Sequence, residues 1–279
     1  MSPQSAPAPI GVYDSGFGGL SVLQALEARL PHEAFVYVAD SGHAPYGDRA
    51  PDFVESRARA VARFLVGRGA KALVLACNTA SVVAARHLRA EFALPVVAME
   101  PAIKPAAQLT ESGVVLVLAT TNTIRSESVA RLCRSHGAGK RLLLQPCPGL
   151  ADQVERGEFR GPATRALLER YLLPGLEAGA DTIVLGCTHY AFLAAEIAAL
   201  AGPAVHLVEP SEAVARQLAR VLGAPARAPR VQRAPATFFS SGPNESMAHF
   251  LASIGEPFER VLALDAPADT APGPAPSPG

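Results

Sequence analysis

The chain has 279 residues, with 25 Lys plus Arg against 25 Asp plus Glu, 49% hydrophobic residues and no Trp. This length allows two modest domains or one large one, with a core resting on Ala, Val and Leu. Balanced charge without a long single-sign run argues against nucleic acid as a partner, and no apolar run approaches the roughly 18 residues of a membrane span. The opening Met1 to Pro9 is rich in Pro and Ala and lacks the basic and apolar regions of a signal peptide. A cytoplasmic protein with reduced thiols is therefore expected.

Short apolar, β-branched runs recur along the chain, separated by stretches long enough for a helix. The expected strands are 10–14, 35–40, 72–77, 95–99, 114–119, 142–145, 182–187, 205–209, 237–240 and 261–264, with helical patterns such as 52–66 and 163–177 between them. Such alternation predicts an α/β fold with two similar α/β domains and largely parallel sheets. Several strands are apolar almost throughout, as when helices cover both faces. The composition of residues 266–279, almost wholly Pro, Ala, Gly and Ser, predicts a disordered tail.

The loops after the strands carry the chemistry. The first, Asp14-Ser15-Gly16-Phe17-Gly18-Gly19-Leu20, brings backbone close to a ligand but matches neither the dinucleotide nor the phosphate-loop pattern. Asp14 at the strand end can steer protons beside a thiol, or cap the following helix. The second loop, Asp40 to Arg49, contains Pro45, Tyr46 and Gly47 and offers backbone donors, a phenol and a guanidinium. Thr120 to Thr123 follows another strand in the same way, with hydroxyls suited to a carboxylate or to capping.

Two cysteines end near-copies of one peptide. Gly69-Ala70-Lys71-Ala72-Leu73-Val74-Leu75-Ala76-Cys77 aligns without a gap on Gly179-Ala180-Asp181-Thr182-Ile183-Val184-Leu185-Gly186-Cys187. Strand similarity alone is common among buried strands. A Cys at the same terminal position in both, where open α/β sheets place ligands, points to a functional pair and to two related units of roughly 100 residues each. Cys77 precedes Asn78-Thr79 and an Ala-rich helical stretch, so Asn78 or Thr79 is expected near the helix N-cap and the helix dipole is expected to lower the thiol pKa. Cys187 precedes Thr188-His189, and His189 can orient, protonate or deprotonate a thiol or a substrate group. Cys133 and Cys147 read as structural. No Cys or His spacing suits a metal, so no metal is expected.

Five of these stretches, in order, resemble the glutamate racemase family. They are Asp14 to Leu20, Ala39-Asp40-Ser41 with Pro45-Tyr46-Gly47, Ala76 to Ser81, Glu100 to Pro105, and Leu185 to Tyr190. Together they cover nearly the whole chain from about Ile10 to Leu264. Two places depart from the family's pattern: Glu209-Pro210 stands where Asp followed by Ser or Thr is expected, and Thr121-Asn122 where a pair often containing Gly is frequent.

The resemblance implies cofactor-independent interconversion of L- and D-glutamate, supplying D-glutamate for peptidoglycan. It implies substrate enclosed between two α/β domains, residues 10–100 plus 210–264 and residues 101–209, flanked by disordered tails 1–9 and 265–279, commonly in a homodimer. Cys77 and Cys187 become the two acid/bases, and the chemistry of the loops adds the expectation that Asp14 assists Cys77 and His189 assists Cys187. Asp14, Ser15, Pro45, Tyr46, Gly47, Asn78, Thr79, Thr188 and His189 become substrate-binding residues, joined by Thr120 or Thr123. Aspartate racemisation in the same superfamily, amino-acid binding without catalysis, and a thiol redox protein remain alternatives at this point.

Overall fold

A computed structural model describes residues 8–224 and 235–266. Among the described residues ten strands form, each within the stretch its apolar run marks except β6, which extends one residue beyond its run at each end: β1 (Ile10–Asp14), β2 (Phe35–Ala39), β3 (Ala72–Leu75), β4 (Val96–Ala98), β5 (Val114–Ala119), β6 (Arg141–Pro146), β7 (Thr182–Leu185), β8 (His206–Val208), β9 (Thr237–Ser240) and β10 (Val261–Ala263). The short ones end before the cysteines, because Ala76-Cys77 and Gly186-Cys187 already leave the ladder for the next turn.

The strands make two sheets, six-stranded in the order β10-β9-β2-β1-β3-β4 and four-stranded in the order β6-β5-β7-β8. Every pairing is parallel. Parallel neighbours need crossovers, and the helices that supply them bury both faces of the strands. All residues of β1, β2, β3 and β7 are buried.

The order β2-β1-β3-β4 is repeated as β6-β5-β7-β8, so the internal repeat read from the two cysteine peptides is a repeat of topology. In each sheet the chain starts in the middle, steps to one side and returns to the other. A crevice opens where the direction reverses, at the carboxyl ends of β1 and β3 and of β5 and β7.

Among the described residues the two halves share an apolar cluster on one side only. One cluster joins Phe17 and Leu20, after β1, with Leu150, Val154, Tyr190 and Leu193 of the second half. On the other side the clusters stay within their own halves, one around Tyr13, Tyr46 and Cys77 and one around Val115, Val117 and Val184. Of the tails expected at 1–9 and 265–279, residues 1–7 and 267–279 lie outside the described residues. Pro9 accepts a hydrogen bond from the Lys71 N–H (2.9 Å), and Ala266 accepts one from Arg57 Nη1 (2.9 Å). No helix among the described residues is long and apolar enough to cross a membrane.

Candidate active site

The carboxyl ends of the two sheets face one cavity lined by Ser15, Pro45, Tyr46, Gly47, Cys77, Asn78, Thr79, Thr120, Ala151, Cys187, Thr188 and His189. Its free space is about 20 Å³, room for about one water molecule. Each sheet contributes one thiol, Cys77 beyond β3 and Cys187 beyond β7, and both are buried.

Cys77 itself, rather than Asn78 or Thr79, caps the helix Asn78–Glu91: its sulfur accepts the Ala80 N–H at 3.4 Å. The expected drop in its pKa does not occur. Burial, followed by the charge of Asp14, pushes the thiol up to about 12, against the smaller opposing pull of its bonds to Ser15 and Ala80. The helix N-terminus still favours the thiolate through the Ala80 N–H, but the desolvation of the buried sulfur outweighs it.

Ser15 connects Cys77 to Asp14. Its Oγ lies 3.4 Å from the Cys77 sulfur and donates to Asp14 Oδ1 at 3.0 Å. Asp14 Oδ1 also accepts the Gly16 N–H (3.2 Å), and Oδ2 accepts the Thr188 hydroxyl (3.0 Å) from the opposite half. Burial raises the Asp14 carboxyl pKa, the neighbouring His189 works against that rise, and Glu155 adds to it. Asp14 therefore reaches Cys77 through Ser15, and its direct partner across the cavity is Thr188.

Cys187 stands in a parallel arrangement. Its sulfur lies 3.5 Å from His189 Nδ1, and His189 Nε2 lies 2.5 Å from Glu155 Oε1. Burial alone would lower the imidazolium pKa, but Cys187 and Glu155 outweigh it and hold it well above the ordinary value. Glu155 also accepts the Phe17 N–H at 2.7 Å, so one carboxylate anchors the first loop and the histidine together. The loop glycines are required here. A Cβ on Gly18 would overlap the His189 ring and sit 2.7 Å from Thr188 Oγ1, and a Cβ on Gly16 would overlap the Glu155 carboxylate.

The remaining lining residues are polar and differ in how well they are satisfied. Neither amide atom of Asn78 has a hydrogen-bond partner although the residue is buried. Such a group keeps its desolvation cost unless a ligand supplies the partner. Thr79 Oγ1 lies 2.9 Å from Thr120 Oγ1, which donates to Thr123 Oγ1 at 2.9 Å. Tyr46 donates to Asp40 Oδ2 at 2.5 Å, and Arg57 holds the same carboxylate through two bonds of 2.8 Å. The guanidinium that fixes this loop is thus Arg57, from the helix Pro51–Gly67, while Arg49 of the loop lies over the Phe53 ring.

All the residues expected to bind or act on the substrate line the cavity except Asp14, which contacts the lining residues Ser15 and Thr188, and Thr123, which contacts Thr120; Arg49 does not line it. Sequence reasoning missed Glu155, Arg57 and Ala151. Glu155 ends an ordinary-looking helix, Leu150–Glu155, and nothing local marks its carboxylate as the partner of a histidine in another loop. Cys133 lies in the helix Glu127–His136, and Cys147 is buried beyond β6 with its sulfur donating to Gln145 O at 3.3 Å. Among the described residues no group of three His, Cys, Asp or Glu is placed to hold a metal ion.

Comparison with known proteins agrees with this arrangement. The Asp/Glu/hydantoin racemase family model matches residues 19–218. The glutamate racemase of Methylococcus capsulatus is 52% identical over 260 residues, 92% of this chain and 96% of that protein. The chain belongs to the glutamate racemase family. Among solved racemase structures, that of Escherichia coli, in complex with L-glutamate and the activator UDP-MurNAc-ala, superposes with a TM-score of 0.82 at 30% identity, over 92% of this chain and 98% of that one. The Francisella tularensis racemase in complex with D-glutamate gives 0.78 at 25% identity, over 92% and 97% of the two chains. The family's two-domain α/β architecture is the one described above.

Proposed function

We propose that this protein interconverts L- and D-glutamate without a cofactor, using Cys77 and Cys187 as acid/bases on opposite faces of the substrate. The observation that carries this reading is the pair of buried thiols, one from each sheet, in a single cavity, each with its own proton partner: Ser15 and Asp14 for Cys77, His189 and Glu155 for Cys187.

Racemisation removes the α-proton from one face and returns a proton to the other. A single base tends to restore the starting enantiomer, and two groups on opposite faces avoid that. Cys77 is a thiol at neutral pH, so it is the donor at rest. To act as the base it passes its proton to Ser15 Oγ while the Ser15 proton moves to Asp14 Oδ1, a carboxylate whose raised pKa suits it to accept. On the other side His189 holds a positive charge beside the Cys187 sulfur and can exchange a proton with it. Following the family resemblance, Cys77 serves the D-enantiomer and Cys187 the L-enantiomer.

Charge that builds on the α-carboxylate needs fixed donors. The unpartnered Asn78 amide and the polar groups of Thr79, Thr188 and Ser15 supply them. The hydroxyls of Thr79, Thr120 and Thr123, beside Pro45, Tyr46 and Gly47, suit the side-chain carboxylate. We read residues 10–100 with 210–264 as one domain and residues 101–209 as the other. A cytoplasmic location, a homodimer and the supply of D-glutamate for peptidoglycan follow from the family reading.

The test is circular dichroism of purified protein given L-glutamate with no added cofactor. The signal is expected to decay to that of the racemate. A constant signal, or turnover of L-aspartate in its place, overturns the substrate. A requirement for pyridoxal phosphate or a metal overturns the cofactor-free chemistry.

A further inference from the structure

We propose that Asn122 is a positioning residue that latches the cavity shut across its two halves, an inference resting on the racemase reading above. Asn122 lies in the short helix Thr121–Arg125, just beyond β5 of the four-stranded sheet. Its backbone N–H donates to Gly47 O at 3.0 Å, and its Nδ2 donates to Tyr46 O at 3.0 Å and to Arg49 O at 2.8 Å. All three acceptors belong to the loop that follows β2 of the other sheet.

That loop is rigid from behind. Tyr46 is tied to Asp40, and Asp40 to the buried Arg57. Because a peptide unit is planar, holding the Tyr46 and Gly47 carbonyls also fixes the Gly47 and Asp48 N–H groups. Asn122 thereby sets the orientation of the backbone that walls the cavity at Tyr46 and Gly47.

The cavity has room for about one water molecule, so an amino acid enters only after the halves separate. The separation is easier on the Asn122 side. The Phe17 side is closed by a shared apolar cluster, whereas among the described residues no apolar cluster joins the halves around Tyr46. The crossing contacts there include the Asn122 bonds and the Thr79 hydroxyl's contacts with Thr120 (2.9 Å) and Thr123 (3.4 Å). Half-exposed hydrogen bonds can break and re-form with water at small net cost, as a latch requires.

The experiment compares the parent with Asn122→Ala and with the isosteric Asn122→Asp, which turns a carboxylate toward two carbonyl oxygens. Two readouts are taken: racemisation kinetics with L- and D-glutamate, and hydrogen exchange of the amides in residues 44–49. A latch contributes equally to ground and transition states, so KM is expected to rise about tenfold in Asn122→Ala with kcat nearly unchanged, and further in Asn122→Asp. Exchange in residues 44–49 is expected to accelerate by a similar factor. A residue that merely supports the fold would lower Tm and leave KM alone. KM within about twofold of the parent in both variants, or unaltered exchange in residues 44–49, overturns the latch. If the parent fails to racemise glutamate, the functional reading falls, and the exchange measurement decides the latch by itself.

Discussion

His189 Nε2 lies 2.5 Å from Glu155 Oε1, joining the imidazole beyond β7 to a carboxylate 34 residues earlier in the chain. The histidine is buried, which by itself disfavours its charge, yet Cys187 and Glu155 hold its pKa well above the ordinary value. A raised folded-state pKa stabilises the fold fully below about pH 6.5, and the contribution is lost as pH rises through the folded value. Glu155→Gln keeps the shape and removes one of the charges. It is expected to flatten the alkaline decline of Tm and to move the basic limb of kcat/KM to lower pH. Tm and kcat/KM measured from about pH 6 to about pH 10 check both. Unchanged profiles would remove Glu155 from the proton chain.

Asp14 is expected to cost stability for the sake of activity. Burial raises its carboxyl pKa despite the opposing charge of His189. For such a group the stabilising contribution exists below the unfolded value of about 3.9 and is lost as pH rises through the folded value, so the carboxylate is a liability at neutral pH. Asp14→Asn is expected to raise Tm by about 2–4 °C at about pH 7 while lowering kcat/KM by about 100-fold or more. Next to burial, the Asp14 charge is also what lifts the Cys77 thiol to about 12. In Asp14→Asn, iodoacetamide should therefore alkylate Cys77 faster at a given alkaline pH. A lower Tm without faster alkylation would contradict the electrostatic account.

Much of this architecture was legible because the signals are local. A buried parallel strand reads as an apolar run wherever it occurs, so each of β1 to β10 falls on its expected stretch, β6 overrunning it by one residue at each end. The matching thiols at the ends of β3 and β7 announce the repeated topology. Pairings between distant residues were not legible. Glu155 meets His189, and Asn122 meets the loop after β2, only because two sheets bring their carboxyl ends together. The Cys77 pKa failed for the same kind of reason. The helix N-terminus is written in Cys77-Asn78-Thr79, but the depth of burial and the approach of Asp14 are properties of the assembled cavity.

The two-thiol mechanism predicts an asymmetry that turnover numbers alone conceal. The two enantiomers have equal free energy, so kcat/KM must be the same in both directions for every variant. Cys77→Ala and Cys187→Ala are each expected to lose racemisation by about 100-fold to 10,000-fold. The surviving thiol can still remove and return a proton on its own face. In deuterium oxide, Cys77→Ala should exchange the α-proton of L-glutamate without inverting it, and Cys187→Ala that of D-glutamate. Mass spectrometry of the recovered amino acid reads this directly. Exchange of the same enantiomer in both variants would reverse or abolish the assigned division of labour, and full racemisation in either would end the mechanism.

Asn78 supplies a test of binding separate from the proton chain. Its side chain is buried, lines the cavity and has no hydrogen-bond partner at either amide atom. A buried amide left unsatisfied costs about 1–3 kcal/mol, so removing it should not harm the folded state even though a few packing contacts go with it. Asn78→Ala is expected to keep Tm within about 3 °C of the parent, or to raise it. The same substitution takes a donor and an acceptor away from the substrate, and polar groups that engage a charged ligand are worth about 1.5–3 kcal/mol. KM for both enantiomers should then rise by roughly 10-fold to 150-fold. If the amide engages the α-carboxylate only as charge builds on it, the loss falls on kcat instead. Steady-state kinetics in both directions, with Tm from differential scanning calorimetry, separate these outcomes. A large drop in Tm with unchanged kinetics would make Asn78 a packing residue whose polar atoms have no ligand to meet.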